Sequence, residues 1–184
     1  ACSHVTNSII DSNEFIRTNI KGTHNILELI RNYRFDKKPM TIFLSTDEVF
    51  GDLEVGEHKE TDLLKPSNPY SASKAAADQL IIAWGRTYNI PYIIARPTNM
   101  WGSLQSSEKL IPKTIKYLTL GKKLSLHNGG EPIRNWLYVQ DCCKAIFILL
   151  MKGKDKEIYN ICGGYEQSNL NTVQKIINCY YGEK

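Results

Sequence analysis

Two short stretches carry side chains that can move protons. Residues 45–52, STDEVFGD, set two hydroxyls, Ser45 and Thr46, and two adjacent carboxylates, Asp47 and Glu48, directly after the apolar run Thr41-Ile42-Phe43-Leu44. Residues 70–74, YSASK, put a phenol and an ammonium four apart. On a helix, residues i and i+4 share a face one turn apart, so the Lys74 ammonium can approach the Tyr70 phenol or a ligand hydroxyl beside it. A nearby cation favours phenolate and lowers the Tyr pKa, which a base working near neutral pH requires. Alone the spacing is a weak signal, since any Tyr and Lys on a solvated helix face share it. A polar strand end facing water, or a helix N-cap, fits Asp47 and Glu48.

The surrounding pattern says which elements must carry these groups. Asn13 to Tyr33 has Phe15, Ile16, Ile20, Ile26, Leu27, Leu29 and Ile30 at helical spacing, and Met40 to Leu44 reads as a short buried strand. Pro66 and Pro69 punctuate a loop, a helical pattern runs from Tyr70 to Tyr88, and Pro91 to Ala95 is a second buried strand. Strands separated by helices long enough to cross over predict a parallel sheet covered on both faces. Ligands of such sheets bind beyond the carboxyl ends of the strands, where residues 45–48 and the start of the Tyr70 helix converge. Past Arg96 the spacing predicts helices over 111–120, 139–151 and 170–180, with extended pieces at 124–126 and 158–161.

Composition narrows the class. With 184 residues, 42% hydrophobic and 23% charged, the chain has the make-up of one globular domain with a sizeable core. Its net charge of +4 is scattered, which suits a phosphorylated small molecule and gives poor support for nucleic acid. No apolar segment approaches ~20 residues and Ala1-Cys2-Ser3-His4 has no signal-peptide pattern, so a soluble cytoplasmic protein is expected. Cys2, Cys142, Cys143, Cys162 and Cys179 form no CxxC pair, which argues against a disulfide framework or a zinc site. Cys142 and Cys143 are read as buried, reduced helix residues. His4, His24, His58 and His127 have no ligand spacing and read as structural or surface residues.

Taken with Ser3-His4-Val5, "TNIKGT" at 18–23, "NPYSASKAAADQL" at 68–80, "WGRTY" at 84–88, "EKLIP" at 108–112, "IRNWLYVQD" at 133–141 and "YNICGG" at 159–164, the chain resembles the extended short-chain dehydrogenase/reductase superfamily. Within it, the dTDP-glucose 4,6-dehydratase family of nucleotide-diphosphate-sugar dehydratases is most similar. The stretches run over nearly the whole chain in the family's order. The resemblance implies a partial Rossmann-like, doubly wound parallel sheet plus a small α/β part that binds the sugar nucleotide. Residues 1–104 would be the later portion of the NAD-binding domain with the catalytic residues. Residues 105–184 would bind substrate, interleaved with that core.

It also implies roles. Tyr70 would take the C4 hydroxyl proton while hydride leaves C4 for NAD+. The resulting ketone acidifies the C5 hydrogen, Glu48 would remove it as general base, and Asp47 would protonate the departing C6 hydroxyl. Asp47 must then be neutral while Glu48 is ionised, in environments that push their pKa values apart. Thr46 would bond the C4 oxygen, and Lys74 would bind the nicotinamide ribose and tune Tyr70. Ser45 and Asn99 would join Tyr70 and Lys74 around the cofactor, and Asn19 would help hold the active-site geometry, although an ordinary helix-surface amide fits Asn19 too. Ser3, His4, Thr46, Asn99, Glu108, Lys109, Leu110 and Arg134 would meet the sugar nucleotide. Arg134 is the preferred diphosphate ligand, because guanidinium makes bidentate charge-assisted bonds and keeps its proton; Lys109 also fits a surface charge at a helix start. The helices 13–33 and 70–88 would form a homodimer interface.

The chain departs from the family at Thr6, where Asp is usual, at Phe50 for Tyr, at Met100-Trp101 before Gly102, and at Ser103 for Pro. None of its 12 glycines falls in GxxGxxG or GxGxxG, the turn that holds a pyrophosphate at a helix N-terminus. The sequence therefore reads as a fragment that begins after the first Rossmann strands, with an exposed parallel edge and little activity in isolation. A 4-epimerase or decarboxylase of the same superfamily is the nearest alternative, but neither needs the Asp47-Glu48 pair. A non-catalytic sugar-nucleotide-binding remnant is the alternative from another class.

Overall fold

The computed structural model describes residues 1–34, 36–53 and 55–182. They fall into two compact units, Ala1–Pro97 with Lys144–Ile161, and Thr98–Cys143 with Cys162–Lys184.

The first unit is built on three parallel strands, β1 (Thr41–Leu44), β2 (Tyr92–Pro97) and β5 (Glu157–Ile161), in the order β1-β2-β5. Thr41 pairs with Tyr92 and Leu44 with Ala95, while Ile93 pairs with Glu157 and Pro97 with Ile161. All six β2 residues are buried, as expected for a central parallel strand packed on both faces. Alternation divides the core. Tyr92 and Ile94, with Phe43 and Ile158, pack on Leu27 and Ile30 of α3 (Gly22–Asn32) and Ile81 of α4 (Pro69–Tyr88). Ile93 and Ala95, with Ile42, Tyr159 and Ile161, pack on Leu149 of α6 (Val139–Lys152). Among the described residues β1 has a strand neighbour on one side only, which is the parallel edge anticipated above.

Helix α4 starts where the sequence signals it. Asn68 accepts from Ser71 N at 2.9 Å, Ser71 Oγ accepts from Asn68 N at 3.2 Å, and Pro69 fills the first turn. Asn89 ends the helix in the left-handed region at φ 53°. Gly85 lets α4 approach β2 closely, because a Cβ there would lie 2.2 Å from the Tyr92 ring.

The helix predicted over 13–33 is not uniform. After α1 (Val5–Ile10) the chain forms α2 (Asn13–Phe15), then a π-helical stretch Ile16–Lys21, then α3. Short π segments often mark functional positions, and Asn19, 2% exposed, sits in this one. Its side chain accepts from Cys2 N at 2.9 Å and donates to Cys2 O at 3.0 Å and Ser73 Oγ at 2.9 Å. It is therefore a buried link between the first residues and α4. Asn19→Leu keeps the shape but strands those partners. A loss of about 1–3 kcal/mol is expected, measured as a lower urea midpoint with unchanged slope.

In the second unit β3 (Asn99–Trp101) pairs parallel with β4 (Ile133–Tyr138), which pairs antiparallel with β6 (Glu166–Ser168). Helices α5 (Leu110–Thr119) and α7 (Asn169–Tyr181) pack together. Trp136 Nε1 donates to Thr172 Oγ1 at 3.1 Å, tying β4 to α7. These three strands were missed at sequence level, and Leu124 to Leu126, expected to be extended, form no strand and lead into a 3-10 turn at His127–Gly130. Cys142 is buried at 1%, but Cys143 is exposed, correcting the expectation that both face inward. Neighbours on a helix point about 100° apart, so one inward position leaves the next outward.

Candidate active site

The candidate proton-moving groups gather at the carboxyl end of β1. Ser45 and Thr46 are buried, and Asp47 and Glu48 are half-buried in a 3-10 turn, Asp47–Phe50. Thr46 caps this turn: its Oγ1 accepts from Glu48 N at 3.3 Å and donates to Asp47 Oδ1 at 3.1 Å. Val49 and Phe50, buried at 0% and 3%, anchor the turn from below against Ala75 of α4. The anchor fixes where the two carboxyls stand.

Helix α4 brings its first turns to the same place. Asn68 Nδ2 donates to Glu48 Oε2 at 3.4 Å, and Tyr70 N donates to Ser8 Oγ of α1 at 3.1 Å. The Tyr70 phenol is buried; burial first, then the Glu48 and Asp47 charges, push its pKa up to about 12, with the Thr46 hydroxyl acting the other way. Thr46, Asp47, Glu48 and Tyr70 therefore stand together at the carboxyl end of β1 in the first unit.

The Lys74 ammonium is turned to the backbone of β1. Its Nζ donates to the Leu44 carbonyl at 2.6 Å, and its charge is not among the influences on Tyr70. The phenol consequently sits above its ordinary value instead of below it. Burial lowers the Lys74 pKa, opposed by the Asp78 charge. A phenol raised in the fold contributes stability fully below its unfolded value of 10, lost as pH rises through about 12. The absorbance difference between the parent and Tyr70→Phe should accordingly show no phenolate below pH 10 in the absence of ligands.

Ser3 is exposed, and His4 caps α1 by accepting from Asn7 N at 3.3 Å. The remaining residues belong to the second unit. Asn99 opens β3; Glu108 is exposed; Lys109 precedes α5 and Leu110 begins it. Arg134 is exposed on β4, its Nη1 donating to its neighbour's carbonyl, Ile133 O, at 2.9 Å. Asn135 is engaged internally, accepting from Thr98 Oγ1 and Gly163 N.

Sequence reasoning missed two residues beneath the site. Asp78 and Arg96 form a buried ion pair, Oδ2 to Nε 3.0 Å, with both side chains 2% exposed. Their signal was present, an Asp four residues after Lys74 and the only charge in an otherwise apolar strand.

A parallel sheet covered on both faces, with a polar cluster at the carboxyl end of a strand, is a Rossmann-like α/β arrangement. The NAD dependent epimerase/dehydratase family matches residues 1–162, and the chain belongs to that family. It is 44% identical over 182 residues to a dTDP-glucose 4,6-dehydratase from Haemophilus influenzae, covering 95% of this chain and 54% of that protein. It is 40% identical over 189 residues to dTDP-D-glucose 4,6-dehydratase of Dictyostelium discoideum, covering 97% and 43%. The crystal structure of a dTDP-glucose 4,6-dehydratase from Streptomyces venezuelae with NAD bound superposes with a TM-score of 0.94 at 35% identity, over 98% of this chain and 55% of that one. The chain spans about half the length of the curated relatives it matches.

Proposed function

We propose that this chain carries the catalytic centre of an NAD-dependent nucleotide-diphosphate-glucose 4,6-dehydratase, a lyase acting on dTDP-glucose or UDP-glucose. The observation that carries the reading is the Asp47-Glu48 turn set against the Tyr70 phenol. An oxidation or epimerisation at C4 needs Tyr70 alone, whereas removal of water across C5 and C6 needs a proton acceptor and a proton donor as well. Family members that are 4-epimerases share the fold, as does the UDP-glucuronic acid 4-epimerase of Bacillus cereus at 25% identity and TM-score 0.91. The adjacent carboxyls favour dehydration over that second reading.

The residues fit the cofactor. Ser45 Oγ is buried without a hydrogen bond of good geometry at the end of β1, near enough to Asp78 to favour its ionised form. A buried hydroxyl at the strand end, with the Lys74 ammonium on the Leu44 carbonyl next to it in sequence, suits the hydroxyls of a ribose. Ser45, Tyr70 and Lys74 would hold NAD, and Asn99 is assigned to the cofactor as well. When bound, NAD supplies oxidation at C4 and reduction at C6.

Tyr70 takes the C4 hydroxyl proton, with Thr46 steadying that oxygen. Glu48, held by Asn68, accepts the C5 proton, and Asp47, held by Thr46, donates to the leaving C6 hydroxyl. Tyr70 is raised in the free protein, so it becomes an effective base only when a positive charge reaches it. Ser3, His4, Glu108, Lys109, Leu110 and Arg134 are assigned to the sugar nucleotide, Arg134 to its diphosphate.

The first unit is thus read as cofactor-binding and catalytic and the second as substrate-binding. The activity belongs to a protein that also supplies a glycine-rich pyrophosphate turn, and these residues alone are expected to turn over weakly or not at all. A homodimer through the helices of 13–33 and 70–88 is supported by Ile16, Ile26, Leu29 and Tyr33, all exposed on the first of them. Five free cysteines suit a cytoplasmic setting, and among the described residues no helix is long and apolar enough to cross a membrane. Incubating the full-length protein with dTDP-glucose and with UDP-glucose tests the reading. A 4-keto-6-deoxy product supports it, and a product that keeps its 6-hydroxyl rejects it.

A further inference from the structure

We propose that the buried Asp78–Arg96 pair is a positioning element for Lys74, with Asp78 supplying the counter-charge one turn along α4 and Arg96 fixing that carboxylate from the end of β2. The inference rests on the reading above only for what Lys74 does there.

The argument begins with the cost of burying charge. Lys74 is 9% exposed and Arg96 2%, so two cations are held away from water on one side of the sheet. Among the described residues, Asp78 is the carboxylate whose charge acts on both. A buried ammonium without an opposite charge gives up its proton. Lys74 and Asp78 are i and i+4 on α4, and so lie on one face. Lys74 Nζ also has the Leu44 carbonyl at 2.6 Å, a dipole that orients the head but does not balance its charge.

Arg96 is itself held on three sides. Its Nε meets Asp78 Oδ2 at 3.0 Å, its Nη1 donates to Glu60 O at 3.2 Å, and its guanidinium lies 4.8 Å from the centre of the Phe50 ring. Phe50 closes the turn that begins with Asp47 and is stacked on His58 at 4.7 Å. One guanidinium therefore touches the carboxylate behind Lys74 and the ring behind Asp47 and Glu48. Burial pushes the Asp78 carboxyl up, while Ser45, Arg96 and Lys74 draw it back. Asp78 is the titratable group that acts on Lys74, Arg96 of β2 acts on Asp78, and Tyr70 one turn before Lys74 answers to Glu48 and Asp47 on the turn after β1.

The test reads Lys74 directly, in the full-length protein isotope-labelled at lysine Cε, without sugar nucleotide, its signal assigned by Lys74→Arg. Asp78→Asn should move the Lys74 titration midpoint down by about one pH unit, roughly tenfold more neutral amine at a given pH. Arg96→Gln should move it up, because loss of a neighbouring buried cation outweighs the loosening of Asp78. In the unsubstituted protein the same signal should carry a smaller step in the acid range as Asp78 takes up its proton. A purely structural ion pair would lower stability in both variants and leave the midpoint in place. An unmoved midpoint in either folded variant overturns the proposal. So does a Lys74 signal flat through the acid range, which needs no variant. The outcome is independent of product analysis, so a failed dehydration assay and a failed titration point to different errors.

Discussion

Glu48→Gln in the full-length protein is expected to lower formation of the 4-keto-6-deoxy sugar by about 10²–10⁴-fold, the usual worth of one positioned acid or base. The amide keeps the shape and a hydrogen-bonding oxygen for Asn68 Nδ2, which now reaches Glu48 Oε2 at 3.4 Å, so loss of rate reflects loss of the proton acceptor. On the proposed mechanism oxidation at C4 depends on Tyr70 and should survive. In a single turnover the variant should build up reduced cofactor absorbance and a 4-keto sugar that retains its 6-hydroxyl. The same substitution removes a negative charge that raises the Tyr70 pKa, so the alkaline ionisation of Tyr70 should also move down. A variant that makes product at the parental rate would remove Glu48 from the mechanism.

Arg96→Leu should produce the largest loss of stability, about 3–5 kcal/mol at neutral pH, because it leaves a buried carboxylate without its main partner. Urea unfolding measures this, and the pH dependence identifies its origin. Asp78 already has a pKa raised by burial; a raised carboxyl favours the fold below its unfolded value of 3.8, and that contribution is lost as pH rises through the folded value. Removing Arg96 pushes the folded value further up. The deficit should therefore be small in acid, where Asp78 is protonated in both proteins, and should grow toward neutrality. A deficit equal at all pH values would point to lost packing against Phe50 and not to charge.

Much of the first unit was legible because its signals are local. The helix of 69–88 announces itself through Asn68, Pro69 and Ser71, and the strands at 41–44 and 92–97 are short apolar runs between polar turns. The grouping of Thr46, Asp47, Glu48 and Tyr70 followed from the rule that parallel strands present their carboxyl ends to ligands. What escaped depends on three dimensions. YxxxK spacing brings Lys74 and Tyr70 to one face but cannot say that the ammonium bonds the Leu44 carbonyl and leaves the phenol to the carboxylates. The Asp78–Arg96 pair joins residues 18 apart that no periodicity links. In the second unit, β3 and β6 have three residues each, too few for alternation to register, and β4 reads Ile-Arg-Asn-Trp-Leu-Tyr, whose polar pair breaks the pattern.

Gly85 has a mechanical consequence. With a Tyr92 ring carbon 2.2 Å from where a Cβ would stand, α4 has no slack against the sheet at that level. A side chain added at 85 would push the helix off β2 at that level. Tyr70 lies roughly 22 Å along the helix from that point at 1.5 Å per residue, so a tilt of about 2–3° forced there would move the phenol about 1 Å relative to Asp47 and Glu48.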